Sequence, residues 1–369
     1  MAVWDRKAVD ISADVRLAVQ NYGACIQNMQ HVVAENYGRS INVVLLCAMV
    51  CICFELLMDS PDVALCHLEH SLRILNSNTD TIDKDLALAF TRLDLQATVF
   101  LGLRPPLLAS SCSETTDDDG FDNEEAELTY LMGCVFSFLR TKADNYRYRN
   151  PGSIPLDLLI EAKTLEEQLQ HFRKKHLTPG LLSDGSSMSS IRETRLRIKC
   201  LTGIILIATS LYTEEAIYDQ FTCDFLSIVD CASELLAQPP ITPLTDGSSP
   251  QNSESTLDMG VIHPLYLTAS KCRSSLIRRR AIELLRMAPS PEGTWDAKLY
   301  AKIAERRMEL EEASLEEPPT DPAGVPEWYR IHSADIYPQG DCKSARVVFR
   351  FQPNGMDGEW SEFSEVITW

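Results

Sequence analysis

With 369 residues, 45% apolar and 24% charged, the chain has the make-up of a soluble globular protein. It is long enough to bury one large core or two medium ones. Its net charge of −19 repels a phosphate backbone, which argues against DNA binding by the surface as a whole and leaves only a local basic patch for that role. The 12 cysteines are scattered and mostly lie in apolar surroundings, and no Cys-x-x-Cys occurs. They read as buried thiols of a reducing compartment, without the paired spacing of a structural zinc site.

At the start, Met1-Ala-Val-Trp-Asp-Arg leads into polar sequence, so no secretory leader is expected. Val15, Val19, Tyr22, Ile26, Met29 and Val33 recur in steps of three and four, the stripe of an amphipathic helix that Gly38 closes. The most apolar run, Val43 to Phe54, has 12 residues. That is short of the ~18–20 needed to cross a bilayer, so it reads as a buried helix, and Cys200 to Tyr212 fails the same test. Pro61 suits a helix start, with Leu65, Leu68, Leu72 and Leu75 on one side. A fourth helix is predicted over 81–103, with Leu86, Phe90, Leu93, Ala97 and Phe100 inward. Arg92 and Asp94 on this largely apolar helix are a candidate structural ion pair.

Polar loops are expected at about 105–125, 177–190 and 239–260, where Gly, Ser, Thr, Pro and acidic residues displace apolar ones. Between them lie predicted helices at 126–145, 155–176, 191–212 and 213–238. The stretch 261–312 reads as two helices, the first strongly basic on one side. Pro289, Pro291 and Gly293 separate them, and Thr294 is a plausible N-cap for the second. Residues 345–351 alternate, Pro353-Asn354-Gly355 is a turn signal, and 359–369 reads as a returning strand. The expected fold is therefore all-α, an irregular and solenoid-like bundle of about ten helices ended by a small C-terminal β-hairpin. Its parts are a helical domain over 1–314, an acidic Pro-rich connector over 315–330 and a hairpin extension over 331–369.

Of the enzyme signals, the sharpest is Asp117-Asp118-Asp119-Gly120-Phe121-Asp122. Asp118, Asp119 and Asp122 match the magnesium-holding Asp-Asp-x-x-Asp of all-α terpene synthases. The string sits in a Gly- and Ser-rich loop. The second metal triad has no partner, since Asp224 is followed four residues on by Ile228 and Asp219 by Cys223. The solvated-linker reading therefore outweighs that enzyme, which stays as the alternative beside a plain helical scaffold. Cys66, His67, Glu69 and His70 draw the corner of a metal site without further ligands, so packing histidines are the better reading. No nucleophile elbow, phosphate-cradling glycine loop or His-Glu-x-x-His appears, and no catalytic, cofactor-binding or metal residue is assigned.

Two basic clusters remain, Arg173 to His176 and the group Lys271, Arg273, Arg278, Arg279 and Arg280. Each fits a nuclear-import signal or a phosphate-facing patch. The weightier reading is a solvated helix face, or one paired with the chain's own carboxylates. The acidic stretch around Phe121 has the composition of some activation segments, and a plain loop is favoured there.

A resemblance runs through three separated places in order. The first is Cys53-Phe54-Glu55-Leu56-Leu57 with Ala64-Leu65, His67 and Leu72 to Leu75, and the second is Arg92-Leu93-Asp94-Leu95-Gln96-Ala97. The third comprises Pro264-Leu265-Tyr266, Lys271-Cys272-Arg273, Arg278 to Ile282, Glu292-Gly293 with Trp295, and Glu311-Glu312. Together, over about 17–312, these resemble the C-terminal effector region of fungal binuclear zinc-cluster transcription factors. The six-cysteine DNA-binding cluster of that family is not in this chain. The resemblance implies a nuclear regulator whose helical body meets protein partners, a DNA-binding transcription factor among them, or a small-molecule effector. It also implies target genes of metabolism, including secondary-metabolite clusters, with no direct contact to nucleic acid or membrane.

Overall fold

The computed structural model describes residues 13–36, 41–58, 60–78, 82–101, 104–108, 124–146, 149, 151–177, 187–237, 260–289, 295–339, 343–355 and 358–369. The chain divides into two compact units, Met1–Asp94 and Leu95–Trp369, and one helix, α4 (Lys84–Leu101), runs across the division.

The first unit holds α1 (Ala13–Asn36), α2 (Ile41–Leu57), α3 (Pro61–Ser77) and the start of α4. Pro61 occupies the first turn of α3, where its missing amide costs nothing. Val44, Leu45, Ala48 and Ile52 of α2 are buried, as are Ala64, Leu68, Leu72 and Leu75 of α3. The expected burial of α2 is only partial. α1 and α3 pack against it, yet Val43, Leu46 and Val50 stay 56%, 54% and 63% exposed along one open face.

The second unit carries α5 (Glu124–Thr141), α6 (Leu156–His176), α7 (Ser187–Thr209), α8 (Thr222–Leu236), α9 (Ile262–Lys271), α10 (Ser275–Met287) and α11 (Ala297–Glu312). α5, α6 and α7 pack mutually, α7 leads to α8, and α8 and α11 each pack against α9 and α10. Leu128, Leu131, Val135 and Leu139 of α5 face inward at the predicted spacing, joined by Leu169 and Phe172 of α6 and Leu201, Ile204 and Ile205 of α7. α5 approaches α7 closely at Gly203, where an added Cβ would stand 2.6 Å from the Met132 sulfur.

Three antiparallel strands end the unit: β1 (Ile331–Pro338), β2 (Ser344–Phe351) and β3 (Ser361–Thr368), in the order β1-β2-β3. The predicted hairpin is thus β2–β3, paired Val347 to Glu365 and Phe349 to Phe363, and β1 adds a third strand. Gly355, at a φ of 82°, supplies the left-handed turn residue between them. Ala345, Val347, Phe349 and Ile367 bury one sheet face on Leu299 and Ile303 of α11. Among the described residues the fold is all-α, eleven α-helices with a small C-terminal antiparallel sheet.

Two predicted elements differ in detail. The basic helix after residue 261 is two helices, broken at Cys272-Arg273-Ser274, where Cys272 and Ser274 have extended backbone (ψ 127° and 112°). Neither Pro nor Gly causes that break. The N-cap of α11 is Asp296, whose carboxylate accepts from the Lys298 and Leu299 amides; Thr294 lies outside the described residues.

Candidate functional site: a buried ionic junction

The break after α9 turns Arg273 inward, and a charged cluster assembles around it inside the second unit. Arg273 donates through Nη2 to Glu215 Oε2 at 2.9 Å and to Glu311 Oε1 at 2.8 Å, and through Nη1 to the Lys271 carbonyl at 2.6 Å. Arg278, one turn into α10, donates to Glu311 Oε2 at 2.5 Å. Arg307 lies one turn before Glu311 on α11, with Nε 3.4 Å from Glu311 and Nη2 3.5 Å from Glu215. Lys271 donates to Glu215 and, at 2.9 Å, to the His332 carbonyl of β1. The side chains of Arg273, Arg278 and Glu311 are fully buried.

The same cluster fastens the sheet to the helices. The Ile331 amide donates to Glu311 Oε1 at 2.8 Å. Next to it Arg330 makes a two-pronged pair with Asp219 at 2.8 and 2.7 Å, and donates to the carbonyls of Val325, Pro322 and Glu215. In return Glu327 accepts the Glu215 and Ala216 amides at 2.6 and 2.8 Å, at the start of the 3₁₀ helix Glu215–Phe221.

The charges and their burial shift one another's protonation equilibria. Burial alone pushes the Glu215 carboxyl up, but Lys271, Arg273 and Arg307 overcome it and bring its pKa from 4.5 down to about 2. Glu311 is depressed further still, since burial is outweighed there by Arg273, Arg278 and Arg307 and by the Ile331 amide. Burial drives Lys271 well below the ordinary lysine value against the pull of Glu215. His332, buried at the rim with its ring edge-on to Trp360, falls to about 4, chiefly through burial. A carboxylate this heavily paired is a structural anchor. Removing water from such ions costs several kcal/mol each, about as much as their attraction returns, so the yield is a fixed geometry more than net stability.

The five residues of the basic group therefore do not share one surface. Lys271, Arg273 and Arg278 are interior, so they cannot face a phosphate backbone. Arg279 pairs with Glu312, and Arg280 reaches Asp230 at 2.6 Å on the exterior. The other basic cluster also meets carboxylates, Arg173 with Asp224 at 3.0 Å and His176 with Glu127 at 3.0 Å. Asp94 is buried and Arg92 half-buried on α4. In the first unit His67 Nε2 lies 3.1 Å from the Tyr22 hydroxyl, which donates to Glu55, while His70 Nδ1 faces its own helix at the Cys66 carbonyl, 2.7 Å away. Asp118, Asp119 and Asp122 lie outside the described residues. Among those described, no group of three or more His, Cys, Asp and Glu side chains is arranged to hold a metal ion. Nor is any described helix long and apolar enough to cross a membrane.

Sequence reasoning found Lys271, Arg273, Arg278 and Glu311 as matches to a family pattern and missed their partners. Glu215 and His332 meet Lys271 across 56 and 61 residues, Glu327 meets Glu215 across 112 and Arg330 meets Asp219 across 111, so no periodicity connects them. Arg307 alone had a local sign, a basic residue four before Glu311 on a helix.

No family model and no solved structure matches the chain. Over 65 residues it is 40% identical to the aspercryptin biosynthesis cluster-specific transcription regulator of Emericella nidulans. That stretch is 18% of this chain and 10% of the relative, so the chain covers about a tenth of the relative's length. The likeness is to a fungal transcription regulator, and it extends to a segment of it.

Proposed function

We propose that the chain is a transcription regulatory protein of the kind found in fungal zinc-cluster regulators, with the helical body serving as an effector region. It works in the nucleus through contacts with proteins or a small effector. Contact with DNA falls to a separate binding module, on a partner or elsewhere in a longer chain. A gene cluster of metabolism is the fitting target, given the cluster-specific regulator to which the chain is similar. That segment match carries the reading. Two features support it: the charged residues that draw together are spent on one another in the interior, and the net charge of −19 opposes a direct hold on nucleic acid. In this reading the chain is no enzyme.

Tethering tests the proposal. Fused to a foreign DNA-binding domain, the chain is expected to change the output of a reporter carrying that domain's site, and to accumulate in the nucleus. Unchanged output from a folded, nuclear fusion overturns it.

A further inference from the structure

Three thiols gather where α1 meets α2 in the first unit. Tyr22 of α1 donates to Glu55 of α2 and stacks on Phe54, with ring centroids 4.4 Å apart. Those contacts fix how one helix lies along the other. Cys25 stands three residues after Tyr22, while Cys51 and Cys47 stand one and two turns before Glu55. The helices run in opposite senses here, so stepping away from the tyrosine brings these sulfurs together. The Cys25 thiol is accordingly within hydrogen-bonding reach of both Cys47 and Cys51.

The three differ in access. Cys51 is fully buried, whereas Cys25 and Cys47 are half-buried and reach solvent in part. Contact between two thiols on separate helices is what a reversible disulfide needs, and a reducing compartment keeps such a pair open until an oxidant arrives. Burial raises the Cys47 and Cys51 thiols, the latter to about 11, and the Cys25 thiol adds to both shifts. Neither is the thiolate that an oxidant meets first.

We propose that Cys25 and Cys47 are an oxidation site, a dithiol that a hydroperoxide converts to a disulfide joining α1 to α2. The Cys25 thiolate attacks the outer oxygen of the hydroperoxide. The O–O bond breaks, an alcohol leaves with the thiol's proton, and Cys25 becomes a sulfenic acid. Cys47 then attacks the Cys25 sulfur, the S–S bond forms, and hydroxide leaves as water with the Cys47 proton. The dithiol gives up two electrons, and the hydroperoxide is reduced to an alcohol and water. A small cellular thiol reverses the step by exchange. This chemistry is independent of the transcriptional reading, since the bond is read on the purified chain.

Treating the reduced full chain with hydrogen peroxide, then mapping its tryptic peptides without reductant, tests the assignment. The expected product is a cross-link between peptides 17–39 and 40–73, which dithiothreitol removes and which is lost in Cys25→Ser and in Cys47→Ser. Fragmentation between residues 47 and 51 locates the bond in the wild-type chain, so the outcome does not depend on how the variants fold. Exposed Cys223 reports that the oxidant has reached the protein. Oxidised Cys223 with Cys25 and Cys47 unlinked overturns the proposal, as does a bond from Cys25 to any other cysteine.

Discussion

Glu311, fully buried, accepts from three guanidinium groups and one backbone amide. Replacing it with alanine leaves Arg273, Arg278 and Arg307 buried without their shared anion. The expected loss is about 3–5 kcal/mol in urea unfolding, against a few tenths for removing the exposed Asp230 opposite Arg280. Acidity probes the same groups in two steps. His332 is neutral in the fold with its pKa lowered from 6.5 to about 4, so between those values the unfolded chain takes up a proton that the folded chain refuses. Stability therefore falls as pH drops from 6.5 to 4, and His263, lowered to about 4 mainly by burial, adds to the same window. Glu215 is ionised in the fold down to about 2, so its contribution is complete above 4.5 and drains away as pH falls toward 2. Melting temperatures recorded against pH should show both slopes, and His332→Asn should flatten the upper one in part.

Among the elements, the break between α9 and α10 and the strand β1 form one device. Arg330 gives five hydrogen bonds to Asp219, Glu215, Val325 and Pro322 just before β1 begins. Arg330→Met should speed amide exchange across Ile331–Pro338 by about tenfold or more while leaving α5 and α7 protected, because it frees a strand and no core helix. Much of the element pattern was legible in the chain. The α5 stripe Leu128, Leu131, Val135 and Leu139, the proline start of α3 and the glycine turn at 355 follow from local rules of spacing and backbone. The break at Arg273 was not legible, since neither proline nor glycine marks it. It follows from the two carboxylates, Glu215 and Glu311, that draw the guanidinium inward from 58 and 38 residues away. The strand β1 was missed for a related reason: IHSADIYP alternates poorly, and the helical body holds it through polar groups at its first residues.

For the molecule as a whole, a net charge of −19 accompanies an inward-turned set of cations, a combination that opposes a grip on a phosphate backbone. Binding to a short DNA duplex at physiological salt should accordingly be no tighter than the ~10⁻⁴ M end of non-specific binding. Under the proposed function, regulatory output should depend on the intact second unit. The most direct test is the tethered reporter, read for the wild-type chain and for Glu311→Ala at matched nuclear abundance. The account predicts that the wild-type fusion shifts expression and that Glu311→Ala loses most of that shift. Wild-type output equal to that of the DNA-binding domain alone would contradict it.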